Sequence, residues 1–491
     1  MESHQPHVVV LPFMAQGHTI PLLDLSKALS SMGLKITIVT TPSNSPFILQ
    51  SLSNHSNIHL LHLEFPPIEG LPKGCENTDQ LPSLDFFLPF LQATARLKEP
   101  FKRLLARMLD ARDAPICVIV DFFLGTAASA CREFNIPRLV FNGMGAFAAA
   151  VCKSLCVHAP YKHVSSDSEP LHMPGMPATL RLTMGDAPGL LQVLDVENDP
   201  FIQFYMEEGR HEQESWGLIV NSFLELEPQF GKWLDSFYQN GAKAWCIGPL
   251  FLYNQQQQSH KSDCFSSNGS VDEAKGDWSG AWCMDWLDGH ALSNECGSVI
   301  FVSFGTQTHI PDEQLDEIRH GLEMCGHPFV WVVRSKTWSP PQGMVDGTKG
   351  RGLIIRTWSP QRRILAHPAI GGFLSHCGWN SVVESLSVGV PILAWPMIAE
   401  QHLNAKLLVE MVGAGERIRQ EAASDGAITV TREAICEGVR SLMDGENGKR
   451  VRKRATEVSQ MAKAAVCDGG SSHESLKAMM KKLVSCSELC S

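Results

Sequence analysis

Two strand-length apolar runs, residues 369–375 (AIGGFLS) and 392–395 (ILAW), enclose a single helical pattern, and few folds accept that arrangement. Both runs are apolar throughout rather than alternating, as strands covered on both faces must be. Between them Val382, Val383, Leu386 and Val388 give a helix its apolar surface, and Gly389-Val390-Pro391 stops it. Parallel strands joined through a helix form a βαβ unit, which implies an α/β protein with a mostly parallel sheet. Ser381 followed by Glu384 fits a capping box for the helix. His376-Cys377-Gly378-Trp379 is then a tight connection whose glycine lets backbone approach a ligand closely. Such a unit aims unpaired N–H groups and the positive end of a helix dipole beyond the strand ends, where a diphosphate is the natural occupant.

Taken singly, these side chains admit plainer roles. Glu384 is either the capping partner of Ser381 or a ligand-binding acid, and both readings stand at this level. Trp358 and Trp395 alone read as core or surface aromatics. His376 and Cys377 are neighbours that rarely converge on one ion, and no CxxC or HxxxH pattern supplies further ligands, so no metal is expected.

A second site begins at the amino terminus. Val8-Val9-Val10-Leu11 reads as a buried strand, residues 12–17 as a turn, and Ile20, Leu22, Leu23, Leu25, Ala28 and Leu29 as the buried side of a helix. His18 therefore sits at the helix entry, where the dipole disfavours imidazolium and keeps the ring available as a base. Residues 115–120 (PICVIV) form another buried strand, and Asp121 follows at its carboxyl end. That aspartate either caps the next helix or orients a histidine as a triad acid does.

A chain of 491 residues that is 44% hydrophobic can bury two sizeable cores. A net charge of −11 argues against nucleic-acid binding, and 19% charged residues argue against disorder. The 15 cysteines are dispersed, with Cys117, Cys152 and Cys246 inside apolar segments, as reduced thiols are in the cytosol. MESHQPH lacks the basic start of a secretory signal, and no run approaches a membrane span, so a cytoplasmic location is expected; a monomer is expected beside it. The sequons at Asn54 and Asn268 would then stay unmodified.

The polar stretch over residues 253–280, with four glutamines at 255–258, reads as a linker. It divides the chain into residues 1–250, a linker over 251–284, a second domain over 285–472 and a terminal helix over 473–491. Residues 298–306 (SVIFVSFGT) open the second domain as a strand and glycine turn, where the Thr306 hydroxyl is placed to reach a phosphate.

Residues 358–401 (WSPQRRILAHPAIGGFLSHCGWNSVVESLSVGVPILAWPMIAEQ) resemble, without a gap, the signature box of plant UDP-sugar-dependent glycosyltransferases of secondary metabolism. PFMAQGHTIP at 12–21 and VDFFLG at 120–125 are similar to the same family's opening and aspartate motifs. The resemblance implies a GT-B fold, two Rossmann-like domains facing across a cleft, with the terminal helix crossing back to the first. It implies Trp358 on uracil and Gln361 with Glu384 on the ribose hydroxyls. His376, Asn380 and Ser381 would hold the diphosphate, Thr306 would lie on its side, and Trp379, Glu400 and Gln401 would meet the sugar. A terminal glutamine in this family goes more often with glucose than galactose. The family's histidine is the general base and its aspartate orients it, which gives His18 and Asp121 those roles.

Inverting transfer from UDP-glucose to a hydroxyl or carboxyl of a flavonoid, terpenoid or other phenolic is the implied reaction. UDP-glucose is then a co-substrate, no cofactor is needed, and the product is a β-glycoside. A silent UDP-sugar sensor, or the same enzyme with another UDP-sugar, is the alternative. A nicotinamide oxidoreductase shares the alternation, but Gly413-Ala414-Gly415 lacks a third glycine and no GxGxxG opens the first domain. For the acceptor pocket, Met14, Phe86, Phe87, Phe122, Met144 and Phe147 are the apolar candidates, and Asn142-Gly143-Met144 offers no hydroxyl where many family members have a threonine.

Overall fold

The computed structural model describes residues 5–52, 55–166, 168–187, 198–238, 242–255, 278–292, 296–340, 350–422 and 428–490. Contacts divide the chain into two compact units, residues 1–265 with 464–491 and residues 266–463.

The first unit is built on seven strands: β1 (His7–Leu11), β2 (Lys35–Thr40), β3 (Ile58–His62), β4 (Cys117–Asp121), β5 (Arg138–Phe141), β6 (Gly217–Val220) and β7 (Lys243–Cys246). All pair in parallel, in the order β3-β2-β1-β4-β5-β6-β7. β1 and β4 are buried at every position, which is why their sequences carry no polar alternation. Strand order reverses between them, with Val8 beside Cys117 and Leu11 beside Val120. At such a switch point the connections leave to opposite faces and open a crevice beyond the strand ends.

The second unit repeats the plan with β8 (Val299–Ser303), β9 (Phe329–Val332), β10 (Gly352–Ile355), β11 (Ile370–Ser375), β12 (Ile392–Ala394) and β13 (Gly415–Arg417). Their order is β10-β9-β8-β11-β12-β13, again all parallel, and the switch point falls between β8 and β11.

The polar linker expected over 251–284 is helical at both ends, over residues 250–255 and again from Trp278 to Leu292. Phe251, Leu252 and Tyr253 are buried, so local apolar packing extends the first unit past the expected boundary. Residues 256–277, with the glutamine run, lie outside the described residues. Residues 464–491 group with the first unit. The helix Ser471–Cys490 is tied there by Ser472 Oγ donating to the Gly248 carbonyl at 2.5 Å and Ser471 Oγ to Glu225 Oε2 at 2.8 Å. No helix among the described residues is long and apolar enough to cross a membrane.

Candidate active site

In the first unit the switch point brings His18 and Asp121 together. The helix Gln16–Ser31 starts two residues before His18, so the expected turn over 12–17 ends early and the imidazole lies in the first helical turn. His18 Nδ1 is 2.8 Å from Asp121 Oδ2. The aspartate is fully buried, while the histidine side chain keeps 24% exposure. Asp121 Oδ1 also accepts the Phe123 amide at 3.1 Å, so one carboxylate caps the turn Phe122–Ala127 and orients the histidine at once. With Nδ1–H donated to the carboxylate, the lone pair sits on Nε2.

Aromatic rings surround this pair. Phe13 meets the imidazole edge-on and Phe123 at a tilt, both with centroids 5.5 Å away. Phe204 stacks on Phe123 at 6.4 Å, and Phe201 lies 5.9 Å from Phe87. Gly143, in the loop after β5, has φ +77° and would place a Cβ within 3.7 Å of the His18 ring, so the left-handed turn brings backbone against the imidazole. Among the apolar acceptor candidates, Phe86, Phe87 and Met144 are half-buried. Met14, Phe122 and Phe147 are core residues, with Phe147 packed on Phe230. The rings that the sequence left unassigned are Phe123, which directly follows the Asp121-Phe122 pair, and Phe201 and Phe204, which sit in no motif.

In the second unit the connections after β8 and β11 meet in the same way. His376 is wedged between two glycines: a Cβ on Gly305 would lie 2.6 Å from its Nε2, and one on Gly378 2.5 Å. Gly378 is thus needed to seat the imidazole, and the left-handed residue of the turn is Cys377, at φ +64°. Burial lowers the His376 pKa to about 4, so at neutral pH the ring offers hydrogen bonds and no charge. Burial likewise pushes the Cys377 thiol up to about 12. Thr306 follows Gly305 and is half-buried.

The capping box does not form. The helix Trp379–Val388 begins two residues before Ser381, with Gly378 as N-cap and no side-chain cap, because the chain turns helical directly after Gly378. Ser381 is then in the first turn, its hydroxyl accepting from Gln361 Nε2 at 3.1 Å. Glu384, 7% exposed, accepts from Gln361 Nε2 at 2.8 Å and from Arg362 Nε at 2.7 Å. The two residues expected on ribose are therefore bonded to each other.

Trp358 presents 40% of its surface, with the Arg334 guanidinium 5.0 Å from its ring. The Trp379 indole is buried, and Trp395 packs edge-on against Phe304 in the core. Gln401 Oε1 accepts the amides of Met397 and Ile398 at 3.0 and 2.9 Å, which fixes its flip and turns Nε2 to the other side as a donor. Glu400 Oε1 accepts from Asn404 Nδ2, which also donates to the Cys377 carbonyl at 3.0 Å. Asn404, missed at the sequence level, ties the left-handed turn to the Glu400-Gln401 pair. Its signal was only the i+4 spacing from Glu400.

Among the described residues, one trio of ligating groups is close enough to share an ion, Asp468, His473 and Glu474. It is part of an ion-pair cluster, with Lys477 Nζ 2.9 Å from Asp468 Oδ1.

The sequence matches the families described as Glycosyltransferase, N-terminal domain, over residues 5–252, and UDP-glucoronosyl and UDP-glucosyl transferase, over residues 284–447. It is 37% identical over 497 residues to UDP-glucose flavonoid 3-O-glucosyltransferase 7 of Fragaria ananassa, spanning 98% of this chain and 96% of that protein. Among solved structures, Phytolacca americana UGT2 complexed with UDP-2fluoro-glucose and pterostilbene superposes with a TM-score of 0.77 at 29% identity, covering 98% of this chain and 100% of that one. Glycyrrhiza uralensis UGT73P12 complexed with glycyrrhetinic acid 3-O-monoglucuronide gives 0.81 at 30% identity, covering 98% and 96%.

Proposed function

Since the chain belongs to the plant UDP-glycosyltransferases, hexosyltransferases of GT-B fold, we propose that it transfers glucose from UDP-glucose, with inversion, to a hydroxyl of a planar phenolic acceptor. The first unit supplies the base and the acceptor wall, and the second holds the donor. His18 Nε2 takes the proton as the acceptor oxygen attacks the anomeric carbon from the face opposite UDP, giving a β-glucoside. Asp121 stabilises the imidazolium that forms. As the glycosidic bond to UDP breaks, negative charge grows on the diphosphate. It is met by the amides opening the helix Trp379–Val388, by Ser381 and Asn380, and by the neutral His376 ring. Trp358 stacks the uracil, Gln361 and Glu384 turn to the ribose, and Gln401 Nε2 donates to a sugar hydroxyl.

The observation that carries this reading is the 2.8 Å His18–Asp121 pair inside a shell of phenylalanines. Flat rings favour a flat partner, which supports flavonoid-like acceptors over aliphatic ones. The flavonoid in the name of the Fragaria ananassa relative and the pterostilbene bound to Phytolacca americana UGT2 agree with a flat acceptor, while the glycyrrhetinic acid 3-O-monoglucuronide bound to Glycyrrhiza uralensis UGT73P12 shows a relative holding a ligand of another shape. Buried, dispersed thiols support a cytosolic place of work.

The test is turnover of UDP-glucose with a flavonoid panel, beside His18→Ala. The variant is expected to lose ~10²–10⁴-fold in rate with alcohol acceptors while UDP affinity holds. Full turnover by the variant refutes the base assignment, and donor binding without turnover by wild type favours a sensor.

A further inference from the structure

Helix Pro200–Gln213 stands outside every motif of the sequence, yet it backs the first-unit site. Asp199 caps it, accepting the Phe201 and Ile202 amides at 2.8 and 3.0 Å. From this helix Phe201 reaches Phe87, Phe204 stacks on Phe123, and Tyr205 lies 5.1 Å from Phe122. Further along, Glu208 is 2% exposed, and its Oε2 accepts the Gly125 amide at 2.7 Å. Gly125 has no room for a side chain, since a Cβ would stand 1.9 Å from Glu208 Oε2 and 2.9 Å from His211 Cβ. Two carboxyl groups thus grip the segment Phe122–Ala127 on either side of its kink at Leu124, Asp121 at the Phe123 amide and Glu208 at the Gly125 amide.

We propose that Glu208 is a positioning residue for glycosyl transfer, clamping helix Pro200–Gln213 to the turn after Asp121 and so holding Phe123, Phe204 and the His18–Asp121 pair in one arrangement. This rests on His18 as base and on the phenyl rings as acceptor wall. The groups around the carboxyl are Glu207 and His211 on its own helix, Arg138 on β5, Asp121 on β4 and the Gly125 amide. Burial raises the Glu208 pKa to about 8, with Glu207 and Asp121 adding to the shift and Gly125 and Arg138 opposing it. Ionisation would strengthen the Gly125 hydrogen bond itself, which is why that contact opposes the shift, but it also charges a buried group. With a folded pKa of about 8 against an unfolded value of 4.5, the folded arrangement is favoured most below 4.5, and that advantage drains away as pH rises to about 8. Ionisation there sets a second negative charge near Asp121.

Hydrogen–deuterium exchange over residues 122–127, corrected for intrinsic base catalysis, tests the clamp from about pH 5 to about pH 9 in the full-length protein. Wild type is expected to lose protection progressively as pH rises to about 8 and to level off above it. Glu208→Gln, which still accepts a hydrogen bond but does not titrate, should keep its protection flat, and Glu208→Ala should have lost it at pH 7. With benzyl alcohol, an acceptor that does not ionise in this range, the alanine variant should lose about 10- to 100-fold in kcat/KM for acceptor, with donor KM unchanged and glutamine restoring activity. Protection independent of pH in wild type, the same decline in Glu208→Gln, or wild-type acceptor kinetics in Glu208→Ala would overturn the proposal. Gly125→Ala attacks the same contact from the other side and should copy Glu208→Ala. If both alanine variants fail to fold, the exchange profile of Glu208→Gln decides. Should His18→Ala keep its turnover, the base assignment falls while the exchange readout still judges the clamp.

Discussion

Asp121 divides one carboxylate between two tasks, and substitutions can separate them. Asparagine at this position keeps an oxygen for the Phe123 amide but turns an N–H toward His18, which imposes the tautomer with its proton on Nε2. Asp121→Asn is therefore expected to fold normally and lose ~10³–10⁴-fold in kcat, whereas Asp121→Ala also lowers the melting temperature through loss of the cap. Kinetics and calorimetry on the pair check both halves. His376 gives a prediction in acid. Its folded pKa of about 4 lies below the unfolded value near 6.5, so its contribution to stability is complete above 6.5 and drains away as pH falls to about 4. The span corresponds to on the order of 3 kcal/mol. Thermal unfolding from pH 7 to 4 should show a shallower acid limb in His376→Gln than in wild type. Both residues were legible in the sequence because each stands at the end of an apolar run. The flip of Gln401 was not, since it depends on the amides of Met397 and Ile398, which the chain turns toward it only in the fold.

At the level of elements, the two switch points explain why short segments far apart in sequence share a site. β1 and β4 deliver His18 and Asp121, and β8 and β11 deliver Gly305 and His376. Gly305 is the tighter constraint, with φ +76° and an imidazole where a Cβ would go. Gly305→Ala should weaken UDP binding and cost about 1–2 kcal/mol of stability or more, because a left-handed alanine is strained and His376 has no room to retreat. Unchanged UDP titration and melting would contradict that account. The strand-helix-strand run of the second unit was readable from its apolar pattern, but the helix start was misplaced. Ser381 and Glu384 carry capping-box spacing, and the sequence holds no sign that Cys377 would take the left-handed turn instead. The contacts that back the ring cluster beside His18 were harder still. Gly125 and Glu208 lie 83 positions apart, and contacts at that separation follow from tertiary packing rather than local pattern.

For the molecule as a whole, the terminal helix Ser471–Cys490 belongs to a unit whose remaining residues lie at the other end of the chain. Leu476, Met479, Met480 and Leu483 are all buried. At roughly 1.5–3 kcal/mol each, their burial is comparable to the whole stability of a domain, about 5–15 kcal/mol. Deleting residues 471–491 should therefore unfold the first unit and abolish transfer while UDP titration still reports the second. Retention of acceptor turnover by the truncated chain would show that the helix is dispensable. The polar composition around the glutamine run reads as linker, yet the first end of that stretch folds as helix because Phe251, Leu252 and Tyr253 find apolar neighbours. The same return of the chain fixes a timetable for synthesis. Domains usually fold in the order they leave the ribosome, at about 5–20 residues per second. Here the second unit, residues 266–463, must be translated before the last piece of the first exists, a wait of roughly 10–40 s at that pace. Through that interval the nascent first unit has its sheet but not its closing helix, and the apolar surface meant for Leu476, Met479 and Leu483 is open to chaperones and to neighbouring nascent chains alike.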